Sequence, residues 1–145
     1  IHGFVPDAIC VDYLDLMASI EKISVENVSI KDKYVSEELR SIGNDYDCSI
    51  ISASQLNRTG AASDASELSQ GGIAGGFTKI FTADNVVAIQ QTDLMKAAKE
   101  YLFKLLKTRS SNGVGKIFMM NVDPTTLIVS NKDASLVISK PKREK

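Results

Sequence analysis

The sequence predicts an α/β fold with a mostly parallel sheet and a β-hairpin toward the C-terminus. Three observations carry that expectation. The apolar run Ala8-Ile9-Cys10-Val11 ends in Asp12, a second run from Cys48 to Ala53 ends in Ser54-Gln55, and the residues between repeat apolar side chains at helical spacing. Strand, helix and strand joined by a connection this long imply a parallel pair with a right-handed crossover. At 145 residues and 43% hydrophobic, the chain has the size and apolar content of one globular domain.

Taken in order, Phe4 to Asp12 reads as a strand buried on both faces, as in parallel sheets, with Pro6 and Asp7 punctuating its start. Met17 to Ser24 reads as a connector. A helix then runs to about Ile42, with Val28, Val35, Leu39 and Ile42 on one stripe, Ser24 and Ser29 competing as N-cap, and Gly43-Asn44 as the stop signal. Cys48 to Ser54 is the second strand. From Thr59 to Phe77 the chain is rich in Gly, Ala and Ser, and loops of that length are usually functional or disordered; Asp64 to Gln70 suits a short helical turn. Asn85 to Ile89 reads as a third strand. The stretch from Asp93 to Lys107 supports two readings. Leu94, Ala98, Tyr101, Leu102 and Leu105 suit a continuous helix, whereas Tyr101 to Lys107 equally suits a strand leading to a hairpin at Asn112-Gly113. Lys116 to Asn121 and Leu127 to Ser130 read as further strands around a turn at Asp123-Pro124.

Composition narrows the function classes. The net charge of -1 gives no global basic signature for nucleic acid. No apolar run approaches the roughly 20 residues that span a bilayer, so no membrane partner is expected. The two cysteines, Cys10 and Cys48, lie far apart without His neighbours; they read as buried, reduced core residues, which favours a cytoplasmic setting over a disulfide framework or zinc site. Residues 1–139 read as the folded part and 140–145 as a basic tail, Lys140-Pro141-Lys142-Arg143-Glu144-Lys145. Ile1 is not an initiator residue, so the chain reads as continuing upstream.

Asp12 closes an apolar strand, where a carboxylate is costly unless it faces a cleft or a partner. Beside nucleotide phosphates such an Asp holds Mg²⁺, largely through water. Gln55 leaves the next strand at the equivalent place, where a neutral amide bonds a phosphate oxygen or orients an attacking water. Taken singly, each is also what an ordinary strand end looks like.

Together with later blocks the two form a pattern. Asp12-Tyr13-Leu14-Asp15-Leu16-Met17, then Ser54-Gln55-Leu56-Asn57-Arg58, then Lys107-Thr108-Arg109-Ser110-Ser111-Asn112-Gly113 closely resemble, in order, the hexameric replicative DNA helicases of the DnaB type, with the phage-encoded branch nearest. The resemblance runs from about Pro6 to Val129 and implies part of a RecA-like P-loop NTPase fold. It implies Asp12 as the Walker B aspartate on Mg²⁺, Gln55 as a sensor linking the γ-phosphate to DNA-binding loops, and Lys107 and Arg109 as the pair that reaches ATP on a neighbouring subunit. Two cations at i, i+2 on a strand share a face, which suits that task. The glycine-rich segment from Gln70 through Gly71, Gly72, Gly75 and Gly76 falls where the family faces single-stranded DNA. Its glycines let backbone N–H groups approach phosphates, and Arg58 and Lys79 would add charge. ATP and Mg²⁺ are the implied cofactors, single-stranded DNA the ligand, and a homohexamer the assembly.

The chain departs from the family in several respects. The phosphate loop with its lysine, the catalytic glutamate and the amino-terminal collar domain are all expected upstream of Ile1, and the segment from Gln70 to Lys79 is longer and richer in glycine than the family's. No Gly-x-x-x-x-Gly-Lys-Ser/Thr phosphate loop occurs in it. It therefore reads as the C-terminal half of the motor domain, with the phosphate-loop strand missing between the strand ending at Ser54 and the one at Asn85. Two strand edges are expected to be left unpaired, and this stretch alone is not expected to hydrolyse ATP. The alternative is a shortened, non-hydrolysing module that binds DNA or docks on a helicase ring.

Overall fold

The apolar runs that open the sequence pair as their pattern requires. In a computed structural model, which describes residues 3–23, 28–56, 69 and 77–132, strand β1 (Ala8–Val11) runs parallel to β2 (Ser49–Ser52), with Ile9 opposite Ile50 and Val11 opposite Ser52. Helix α1 (Val28–Asp45) makes the crossover between them. The described residues up to Ala83 form one compact unit, and those from Asp84 onward a second.

In the first unit the core is Leu14, Val35 and Leu39, with Val11, Met17 and Ile50 packed against it. β1 is shorter than the expected Phe4–Asp12 strand. Phe4 and Val5, before Pro6, are 85% and 70% exposed. The strand is also not buried on both faces. Ile9, Val11 and Ile50 are half-buried, while Cys10 and Ile51 are exposed on the opposite, uncovered face. The expectation of two buried cysteines fails as well: both thiols are free, Cys10 exposed on that face and Cys48 half-buried before β2.

α1 begins at Val28, so Ser29 lies inside the helix, and Ser24 lies outside the described residues. Its buried positions are Asp32, Val35, Ser36, Leu39 and Gly43, while Ile42 sits off that stripe and is exposed. The helix also runs through Gly43-Asn44. It closes as a Schellman turn: Asp47 takes a left-handed φ of 47°, the Cys48 N–H donates to the Gly43 carbonyl at 2.9 Å, and the Asp47 N–H donates to Asn44 at 3.4 Å. Gly43 serves packing instead. A Cβ there would stand 3.0 Å from Ile50 Cγ1 and 3.1 Å from the Cys48 carbonyl oxygen, so its absence lets β2 lie against the helix. A short helix, α2 (Phe77–Ile80), follows. The Arg40 guanidinium donates to the Thr82 carbonyl just beyond it.

The second unit is an antiparallel sheet in the order β3 (Asn85–Gln90), β4 (Glu100–Thr108), β5 (Ile117–Val122), β6 (Val129–Asn131). Between β3 and β4 lies one turn of helix, α3 (Asp93–Ala97), capped by Thr92, whose hydroxyl accepts the Met95 N–H. Lys99 at φ 56° ends it, and the chain enters β4. The continuous-helix reading of this stretch is thereby excluded. Leu94, which would have led its apolar stripe, is 84% exposed. In β4, Leu102, Lys104 and Leu106 lie buried on one face, as do Ala88 and Gln90 in β3. Val87, Ile89 and Phe118 are exposed on the other face, opposite Leu105 and Phe103. The hairpin from β4 to β5 forms, but its left-handed residue is Gly115 at φ 87°, not Asn112-Gly113. The turn at Asp123 forms as expected. The Asp123 carboxylate accepts from the Thr125 N–H at 2.8 Å and the Thr126 hydroxyl at 2.9 Å, which hold it below the usual carboxylate range.

The α/β class and the parallel-plus-hairpin plan are present, although among the described residues antiparallel strands outnumber parallel ones, because β4 supplies strand where helix was the alternative. Within their own sheets β2 and β3 are both edge strands among the described residues.

Candidate functional site

The parallel register sets the site. Because Val11 pairs with Ser52, the chain leaves β1 at Asp12 and β2 at Ala53-Ser54-Gln55 at the same end of the sheet, the carboxyl end where open α/β sheets bind ligands. The Ser52 hydroxyl donates to the Val11 carbonyl at 3.0 Å, and the Leu14 N–H donates to the Ala53 carbonyl at 3.2 Å, so the two exits are stitched together. Asp12 is exposed there. The Gln55 side-chain amide donates to the Tyr13 hydroxyl at 3.1 Å, which places the side chains of the two exits in contact.

Behind this rim lies a cluster the sequence reading did not anticipate. Asp15, in the turn Leu14–Leu16, accepts the Gln55 backbone N–H at 3.1 Å and the Ser54 hydroxyl at 3.1 and 3.2 Å. Lys79 of α2 pairs with the same carboxylate and reaches Ser54 Oγ at 3.3 Å. Its ammonium also lies 3.0 Å from Asp32, a carboxylate only 1% exposed, which Lys31 approaches at 3.0 Å from the other side. Partial burial raises the Asp15 pKa, but Lys79 and the hydrogen bonds from Gln55 and Ser54 outweigh it and hold the group below the usual carboxylate range. The sequence signal for this cluster was Asp32 itself, a charge one turn before Val35 on the buried stripe of α1.

Lys79 was expected to add charge to a DNA-facing loop. Its side chain is 5% exposed and its ammonium is engaged by two carboxylates, so it is a buried ion-pair residue and leaves the DNA-binding set. Arg58, Gln70, Gly71, Gly72, Gly75 and Gly76, and the tail 140–145, lie outside the described residues, as does the expected turn from Asp64 to Gln70 apart from Ser69.

In the second unit Lys107 is half-buried near the end of β4, opposite Val86. Arg109 stands just past the strand. Its N–H donates to the Asp84 carbonyl at 3.0 Å, and its guanidinium pairs with the Asp84 carboxylate at 2.7 Å, both side chains being about half exposed. Asp84 was another partner that the sequence reading did not name.

Among the described residues no group of three or more His, Cys, Asp or Glu side chains is arranged to hold a metal ion. Mg²⁺ is commonly held by one or two carboxylates together with substrate phosphates and water, and Asp12 presents an exposed carboxylate at the strand exit. No helix among the described residues is long and apolar enough to cross a membrane.

The chain has relatives by sequence and by fold, although no family model matches it. A DnaB-like replicative helicase of Enterobacteria phage T4 is 32% identical over 108 residues, which cover 74% of this chain and 22% of that protein. Among solved structures, an isolated ATPase domain superposes with a TM-score of 0.72 at 15% identity, over 87% of this chain and 44% of that one. A DnaB-like replicative helicase, described together with its interactions with primase, superposes with a TM-score of 0.71 at 15% identity, over 87% of this chain and 30% of that one. The chain thus spans about a fifth of the length of its phage relative and less than half of the solved ATPase domain. By sequence the chain is a homologue of part of a DnaB-like replicative helicase, and its fold is that of part of its neighbours' RecA-like ATPase domains.

Proposed function

We propose that this chain is part of the motor of an ATP-driven replicative helicase that moves along single-stranded DNA, working as a homohexamer when full length. The observation that carries the reading is the pairing of Val11 with Ser52, which brings the Asp12 and Gln55 exits to one end of a parallel pair in a chain homologous to part of a DnaB-like replicative helicase. Asp12 would hold Mg²⁺ beside the phosphates of ATP, where the ion supplies charge neutralisation. Gln55, free to exchange its Tyr13 partner for a phosphate oxygen, is the sensor of the nucleotide state. Lys107 and Arg109 act on ATP bound by a neighbouring subunit, where a guanidinium stabilises charge on the transferring phosphoryl group. The segment from Gln70 to Gly76, with Arg58, contacts the DNA backbone without reading sequence.

The test is Asp12→Asn in the full-length protein, assayed for ATP hydrolysis with single-stranded DNA. Turnover is expected to fall by about a hundredfold or more, as when a group that stabilises transition-state charge is removed. Turnover within twofold of the parent contradicts the assignment.

A further inference from the structure

The turn that follows β1 holds Gln55 at both ends. Asp15 accepts the Gln55 backbone N–H at 3.1 Å, and the Tyr13 hydroxyl accepts its side-chain amide at 3.1 Å. The turn is itself anchored. Leu14 is buried in the core, its N–H donates to the Ala53 carbonyl at 3.2 Å, and the Leu16 N–H donates to the Tyr13 carbonyl at 3.1 Å. We propose that the Tyr13 hydroxyl occupies the Gln55 amide until a γ-phosphate takes it, and that Tyr13 thereby sets how strongly the site prefers ATP over ADP. This rests on the sensor role proposed for Gln55. Tyr13 is a positioning residue that acts through the amide.

The chemistry of the exchange favours this over an incidental contact. With its backbone held by Asp15, Gln55 moves its amide only by turning its own side chain. Tyr13 directly follows Asp12, so the phenol and the carboxylate proposed for Mg²⁺ leave the same strand end. A phosphate oxygen is charged and accepts a hydrogen bond about twice as strong as a neutral phenol does, so ATP draws the amide away. ADP has no γ-phosphate to offer, and with it the amide stays on Tyr13. Only ATP therefore bears the cost of breaking the bond between Gln55 and Tyr13. Gln55 is exposed, so water competes for the same amide, and the cost is the net worth of one hydrogen bond, about two- to tenfold in affinity.

The experiment measures equilibrium binding of ADP and of a non-hydrolysable ATP analogue, both with Mg²⁺. It uses the full-length protein with Tyr13→Phe, Gln55→Ala or both. Tyr13→Phe keeps the ring in the turn and removes only the hydroxyl. It should tighten the analogue by about two- to tenfold and leave ADP as in the parent. Gln55→Ala should weaken the analogue and leave ADP unchanged, and Tyr13→Phe should add nothing once Gln55 is gone. The double-mutant cycle thus isolates the bond between the two side chains. An unchanged preference in Tyr13→Phe, with Gln55→Ala weakened for the analogue, overturns the inference. So does a Tyr13→Phe effect that persists without Gln55, or one that moves ADP and the analogue alike, because the hydroxyl then acts on the nucleotide or the fold and not through the amide. Analogue binding unchanged in Gln55→Ala overturns instead the sensor reading, and the inference falls with it.

Discussion

Replacing Arg109 by Ala separates a structural arginine from one that works on a neighbouring subunit. In the chain itself Arg109 pairs with Asp84 at 2.7 Å, but the two side chains are 51% and 54% exposed. An ion pair that open to water contributes about 0–1 kcal/mol. An arginine supplied in trans to a transferring phosphoryl group contributes about 10³- to 10⁵-fold in rate. At 1.36 kcal/mol per decade, that is about 4–7 kcal/mol. If Arg109 reaches ATP on a neighbouring subunit as proposed, the phosphate would outcompete Asp84 for the guanidinium. Arg109→Ala should lower DNA-stimulated kcat by about a thousandfold or more while leaving ATP binding within a few-fold. Asp84→Asn should change stability by less than about 1 kcal/mol and turnover by only a few-fold. Steady-state ATPase with saturating single-stranded DNA, alongside equilibrium binding of a fluorescent ATP analogue, reads both. Near-normal turnover in Arg109→Ala, or an equal loss in Asp84→Asn, refutes the reasoning.

Two further outcomes follow from the packing. Asp15 is held below the usual carboxylate range in the folded chain, so its contribution to stability is present above that range and is lost as pH falls through the lowered value; acid unfolding of Asp15→Asn, followed by circular dichroism, should show a shallower dependence there than the parent. Gly43→Ala should destabilise by about 1–3 kcal/mol through overpacking, despite a helix-propensity gain of about 1 kcal/mol, because the new Cβ meets Ile50 and the Cys48 carbonyl; a urea midpoint above the parent's would show that β2 has room to yield.

The parallel pair was legible because Ala8–Val11 and Ser49–Ser52 are continuous apolar or small runs ending in chemically distinctive residues, and the register then follows from the crossover. β4 was not. Leu102 and Leu106 on one face and Phe103 and Leu105 on the other make a run that satisfies both helical and strand spacing, and only the left-handed Lys99 and the pairing with β3 and β5 decide it. The exposure of Cys10 was illegible for another reason: an apolar run reports the burial it is suited to, and the faces of β1 differ because only one is covered by α1 among the described residues. Within the site, Asp12 and Gln55 were readable as strand-end residues. The partners of Lys79 were not, since Asp15, Asp32 and Lys79 lie far apart in sequence and converge only in the fold. The charge at Asp32 on the buried stripe of α1 was the one local sign of them.

Strand displacement tests the central claim most directly. The full-length native protein is incubated with a forked duplex, Mg²⁺ and ATP, and the released strand is followed together with phosphate. A helicase motor predicts release that requires hydrolysis and is lost in Arg109→Ala. DNA binding without any ATP turnover would contradict that account and leave a binding module in its place.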